Sequence, residues 1–306
     1  MLGNFSKYSF VIFFCLNLSI CLSQENDTKL IKDRIYQVLI SNDSNLSFPY
    51  TFTTDEELDK ILNEFDGEKW PYIEYDDISR ENFDNRIHTR NLVILASSYK
   101  NMNSKYFNKS KVKRTIISAL KFWCDNDFIG ENWWNNQIGT PNDLVHLMLI
   151  IGDELPKHLI SISQKIISRA NIYSGGSRPG GDRIKVCSIA AKNQLFLNDF
   201  NQFNHIMKII ESEIKFVNWI GKDFGYTFTN SNSGGLGSFK NANGRGLQYG
   251  NSFHHRTDGV NNTLSYGYGY AKAFVEWAHY NRGTEYSFSD EKIKMLTDYF
   301  LDGIAK

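Results

Sequence analysis

Cysteine is scarce: four in 306 residues, two of which, Cys15 and Cys21, sit in an apolar N-terminal stretch. Only Cys124 and Cys187 lie beyond it, which excludes a disulfide framework and a cysteine-rich metal site. Each falls in apolar, helix-like sequence, so the two are either buried thiols or partners in a single bridge. Charge of one sign is also lacking, since 34 Lys and Arg balance 34 Asp and Glu. An anionic ligand must therefore be held by a local cluster, and nucleic acid is not an expected partner. HExxH is missing, and the adjacent His254 and His255 have no spaced third ligand, so neither a metal nor any other cofactor is expected. GxSxG is missing as well, which removes the usual support for a serine hydrolase. No carboxylate pair stands in a distinctive setting for glycoside hydrolysis. Gly234, Gly235 and Gly237 follow no strand and open no helix, so they make no phosphate cradle.

What is present begins with a leader. Lys7 precedes an apolar run from Tyr8 to Ile20, and Cys-Leu-Ser stands before Gln24. Residues 1–23 therefore read as a secretory signal peptide, cleaved after Ser23, with a retained anchor as the alternative. The run is short for a membrane span and is followed at once by polar residues. The expectation is a secreted or periplasmic protein with no membrane attachment after cleavage. Sequons at Asn26 and Asn108 matter only if the source glycosylates its exports.

Residues 24–306 read as one large domain or two small ones with helical periodicity nearly throughout. Leu92, Val93, Leu95 and Ala96 begin a pattern that continues through Ile116, Ile117, Leu120 and Trp123. Thr140-Pro141-Asn142-Asp143 predicts a helix start, with a Thr cap, Pro at the first position and Asp in the first turn, and Gly152 predicts its end. Further helices are predicted from about Leu159 to Ala170, Asp182 to Leu197, Phe203 to Phe216, Leu264 to Tyr280 and Ser289 to Leu301. Short connections imply antiparallel neighbours, hence a succession of αα-hairpins in an all-α fold. Two stretches interrupt the pattern: Tyr173 to Asp182, rich in glycine, and Gly221 to Arg256, long, polar and aromatic. The centre of the second, Asn230 to Gly244, reads as a loose excursion.

Two segments carry chemistry. Glu131 to Pro141 (ENWWNNQIGTP) sets Trp133 and Trp134 among Asn132, Asn135, Asn136 and Gln137. Flat apolar faces beside uncharged amides suit a pyranose, which offers a C–H face and a rim of hydroxyls. Core anchoring at a helix end is the equal alternative. Gln248 to Tyr270 gathers His254, His255, Arg256, Tyr266, Tyr268 and Tyr270 around a helix entry. Positive neighbours favour a phenolate, which suits a tyrosine base.

The NWWNNQIGTP motif, an apolar helix after it, and SFHHR followed by LSYGYGY resemble polysaccharide lyase family 8, the family of hyaluronate, chondroitin AC and xanthan lyases, in its N-terminal α-helical domain. The likeness covers about Trp70 to the C-terminus. It implies an incomplete α/α toroid whose cleft binds an acidic polysaccharide and cleaves it by β-elimination at a uronic acid. By position, Trp133, Trp134 and Asn135, with Asn132 beside them, resemble the family's sugar-binding patch, and Tyr266 its catalytic base and acid. His255, with His254 next to it, takes the histidine role at the uronate, and Arg256 orients substrate. The spacing from histidine to tyrosine differs from the common family pattern, which puts the matching position nearer Arg256. Where members carry Gly-Ala-Asn or Gly-Gln-Asn, this chain has Gly180-Gly181-Asp182-Arg183. An ionised Asp182 repels a uronate unless Arg178 or Arg183 pairs with it or it is protonated; the alternative is a helix cap. Family enzymes continue into an arginine-bearing segment and β-sandwich domains, whereas this sequence ends at LDGIAK. The expectation is therefore a monomeric toroid, completed elsewhere or acting alone. The competing readings are a toroid that binds glycan and cleaves poorly, and a glycoside hydrolase on a similar helical frame.

Overall fold

A computed structural model of the chain describes residues 24–41, 53–217, 244–256 and 260–305. The leader reading on residues 1–23, the three glycines at 234, 235 and 237, and nearly all of the 230–244 excursion lie outside the described residues. Ten α-helices follow in order: α1 (24–40), α2 (Asp55–Asn63), α3 (Asn85–Lys100), α4 (Ser110–Asn126), α5 (Thr140–Ile151), α6 (Lys157–Ile167), α7 (Gly181–Leu197), α8 (Phe200–Ser212), α9 (Tyr268–Asn281) and α10 (Asp290–Asp298). One two-residue hairpin, β1 (Gly246–Leu247) with β2 (Phe253–His254), departs from the all-helical expectation.

The helices form two rows. α3, α5, α7 and α9 pack side by side in that order, while α4, α6 and α8 lie behind them, so each hairpin puts one helix in each row. This is an incomplete α/α toroid built from antiparallel hairpins. The burial pattern follows from the row. Every residue of α5 except Asn142 is buried, as an inner helix covered on several sides requires. α4 and α8 instead bury single apolar stripes, Val112, Ile116, Leu120 and Trp123 on the first and Phe203, Ile206, Met207 and Ile210 on the second. Trp70, Trp123 and Trp277 are fully buried, each contributing about 1.5 to 3 kcal/mol or more of transfer free energy. Trp70 donates its indole N–H to Ile61 O at 2.8 Å, and Trp277 donates to Ser188 Oγ at 2.8 Å, so neither burial strands a polar group. α1 is tied to the far end of the inner row by Arg34, whose guanidinium donates to the carbonyls of Tyr280 (2.8 Å) and Arg282 (2.6 Å). Cys124 and Cys187 are buried, unbridged thiols, pushed up by burial to about 11 and about 12.

α5 starts at Thr140 as predicted, but the predicted Thr cap needs correction. Helical structure begins at Trp133 and passes through a π-turn, Asn135–Gly139, directly into α5. Thr140 has helical backbone angles and its hydroxyl caps nothing; Asn132 Oδ1 accepts from Trp134 N at 3.1 Å instead. A π-turn widens the ladder and accommodates Pro141, which has no N–H to give it. A second π-turn, Thr263–Gly267, opens α9 in the same way and carries Tyr266.

His88 at the centre of the α3/α4 packing shows how protonation is coupled to folding. Ala119 O can only accept, so the 2.9 Å contact puts the proton on Nε2 and leaves Nδ1 to accept from Tyr75 OH at 2.8 Å. Burial holds this imidazole down to about 4 from an ordinary 6.5, and lowers His146 as well. A histidine with a depressed folded pKa contributes stability that is present above its unfolded value and lost as pH falls toward the folded one. The melting temperature is expected to hold above pH 6.5 and to fall steeply between 6.5 and 4. Melts followed by circular dichroism across that window check this, and a flat profile would contradict it.

Candidate active site

The site forms where three connections meet: the π-turn before α5, the glycine-rich turn before α7, and the β1/β2 hairpin leading to the π-turn before α9. Gly180 adopts φ +83°, open to glycine and strained for other residues, and a Cβ there would meet Gly246 Cα at 3.4 Å. The turn thus lets the hairpin cross directly over the start of α7. Its backbone is pinned from α8's end: Gly180 N donates to Glu213 Oε2 at 2.9 Å, and Arg183 pairs with Glu213 Oε1 at 3.0 Å. Gly176 serves the other flank, since a Cβ there would strike the Trp133 indole and Gln137.

A continuous chain of contacts joins the two chemical segments. The Arg178 guanidinium lies 4.9 Å from the Trp133 ring centroid and pairs with Asp182 through Nη2 at 2.9 Å and Nε at 3.1 Å. Asp182 Oδ2 is 4.0 Å from His255 Nε2, and the His255 ring stacks on Tyr266 with centroids 3.6 Å apart and planes 1° from parallel. Tyr266 is 44% exposed, so its phenol is reachable from solvent while its ring is held. The other face of the tryptophan pair is anchored separately. Arg86 sits 5.0 Å over Trp134 and pairs with the buried Asp143 at 3.2 Å, which also accepts from Thr89 Oγ1 at 2.8 Å. Both indoles are partly buried against the core and partly open, so packing and access coexist at one position.

The electrostatics are set by burial and by which charges are already paired. His255 is held down to about 4, first by burial and then by Arg245, Arg178 and Lys185, against the opposing pull of Asp182. Its imidazole is therefore neutral at neutral pH, and the Asp182 contact is a dipolar one. Asp182, at the positive end of α7, is paired with Arg178 and caps nothing; the N-cap is Gly180. Arg183 is committed to Glu213 instead.

The remaining candidates separate. His254 pairs in register with Gly246, whereas the ring of His255, the next residue, stacks on Tyr266. Arg256 is exposed. Asn132 spends its oxygen on capping, and Asn136 makes a reciprocal pair of bonds with the Gly130 backbone. Asn135 instead lines a recess with Asn132, Arg80, Arg86 and Arg90, a surface that Glu81 and Asp84 also border and that neither His255 nor Tyr266 reaches. Arg86, Lys185, Glu213 and Arg245 are contributors that sequence reasoning did not identify. Arg86 and Glu213 act across long stretches of chain and leave no local signal. Lys185 had one, since it stands three residues after Asp182 on the same helix face. Among the described residues no three His, Cys, Asp or Glu converge as metal ligands, and no helix is long and apolar enough to cross a membrane.

Residues 37–220 match the N-terminal α-helical domain of polysaccharide lyase family 8. The chain is similar to chondroitinase-AC of Pedobacter heparinus, 23% identical over 300 residues that make up 97% of this chain and 38% of that protein. Its fold is similar to a chondroitinase AC lyase solved in oligosaccharide complexes, with a TM-score of 0.71 at 21% identity over 90% of this chain and 36% of that one. It is also similar to the Streptomyces coelicolor chondroitin AC lyase solved with chondroitin sulphate, with a TM-score of 0.65 at 14% identity over 90% of this chain and 36% of that one. The chain thus spans well under half the length of these relatives.

Proposed function

We propose, for a chain that belongs to polysaccharide lyase family 8, that it binds an acidic polysaccharide of the chondroitin or hyaluronan kind and cleaves it by β-elimination at a uronic acid. The observation that carries this reading is the parallel stack of a neutral His255 on a solvent-reachable Tyr266, linked through Asp182 and Arg178 to Trp133. Trp133, Trp134 and Asn135 would hold the sugar chain. Tyr266 removes the C5 proton of the uronate. The electron pair left at C5 forms the C4–C5 double bond as the bond from C4 to its glycosidic oxygen breaks, and the same phenol returns the proton to that oxygen. His255 and its neighbour His254 assist at the uronate, and Arg256 orients the polymer. A neutral imidazole suits that role because it donates a hydrogen bond without drawing the proton from the base. The leader-like residues 1–23 support a site of action outside the cell.

A second reading rests on Asp182. Its carboxylate beside His255 opposes a uronate, which favours a toroid that holds the polymer and turns it over slowly. Elimination leaves an unsaturated uronate that absorbs ultraviolet light. Incubation with chondroitin and with hyaluronan is expected to raise that absorbance. Binding with no absorbance would overturn the lyase reading in favour of the second.

A further inference from the structure

Most of the cations beside Asp182 and His255 are already engaged. Arg178 is paired with Asp182, Arg183 with Glu213, and Arg245 donates to His255 O at 2.8 Å. The Lys185 ammonium makes no hydrogen bond or ion pair among the described residues. Its position is defined by two helices. On α7 it lies one turn after Asp182, on the same face. On α9 it approaches Gly269, one turn after Tyr266, with Nζ 4.0 Å from where a Cβ would stand. Its charge is felt by both Asp182 and His255. The group is half-buried, and burial lowers its pKa, with Asp182 opposing. Withdrawing an ammonium from water without a hydrogen-bond partner is costly, and an anion delivered to it recovers that cost.

The geometry points to Lys185 as the residue that takes the uronate carboxylate, a role Asp182 cannot fill because it is itself an anion. Arg178 makes this workable: by neutralising Asp182 it leaves the Lys185 field for substrate. A carboxylate seated between α7 and α9 at Lys185 lies one turn below Tyr266, so C5, bonded to the carboxylate carbon, is directed toward the phenol. The assignment rests on the lyase reading, and two separate readouts keep their failures apart.

The test uses the full chain, a chondroitin tetrasaccharide, and the same tetrasaccharide with its uronates reduced to neutral sugars. Calorimetric titration of the wild type is expected to show a preference for the carboxylate form. Lys185→Met should weaken binding of that form about thirtyfold, the value of one charged hydrogen bond, and leave binding of the reduced form unchanged. Lys185→Arg should restore most of the preference. Retention of the preference in Lys185→Met, or an equal loss for both sugars in a variant that melts like the wild type, would overturn the assignment. So would a wild type with no preference at all. A preference that depends on Lys185, without unsaturated product, would leave the assignment standing and overturn the lyase reading alone.

Discussion

Tyr266→Phe is expected to abolish cleavage while polysaccharide binding stays close to the wild-type value. The substitution removes one oxygen and keeps the ring, so the face-to-face contact with His255 at 3.6 Å survives and the proposed binding surface around Trp133 is untouched. On the proposed mechanism, what is lost is the group that accepts the C5 proton and returns one to the leaving oxygen. Positioned acid–base groups contribute about 100- to 10,000-fold, and Tyr266 is asked to serve in both directions, so a loss of at least about a thousandfold is expected. The loss should appear in kcat, with KM little changed, because the interaction is made at the transition state. Ultraviolet product formation and calorimetric binding on the same preparation check both halves. Undiminished turnover would exclude Tyr266 as base.

Arg178→Met is expected to have the largest effect on stability, and to reach the site as well. The Arg178 side chain is 27% exposed and its Asp182 partner 5%, so deleting the cation strands a nearly buried carboxylate. Breaking a pair of this kind typically costs about 3 to 5 kcal/mol, visible as an earlier midpoint in urea. The electrostatic consequence is specific. Arg178 lowers the His255 pKa and Asp182 raises it, so removing the arginine alone lets the imidazole rise above its present value of about 4. An NMR titration of His255 should show that rise, and the double variant Arg178→Met/Asp182→Asn should reverse both it and much of the stability loss. An unchanged midpoint together with an unchanged His255 titration would show that the pair does not couple the two halves of the site.

The helical hairpins were legible because inner and outer helices impose burial patterns that survive in sequence: nearly unbroken burial in α5, single stripes in α4 and α8. Helix starts were less so. Thr140-Pro141 has the form of a cap, yet the π-turn from Asn135 carries the helix through it, and no local propensity signals a wider turn. The tryptophan pair was evenly balanced between core and ligand, and the balance reflects the molecule: each indole is partly buried and each meets an arginine, Arg178 or Arg86, from a distant segment. Those arginines could not be found locally, because a cation over a ring is a tertiary contact. Asp182 was open between cap, repelled anion and paired anion; the turn geometry gives the third, and Arg183, equally near in sequence, is drawn away by Glu213. His254 ends β2 and His255 lies just past it, and a strand of two residues is too short to read without its partner.

The measurement that bears most directly on the whole account is the mass spectrum of oligosaccharides released from chondroitin by the wild type and by Tyr266→Phe. Elimination predicts new non-reducing ends that are unsaturated and one water lighter than hydrolysis products, formed by the wild type and missing with the variant. Saturated ends from the wild type, or the same unsaturated products at the same rate from Tyr266→Phe, would contradict it.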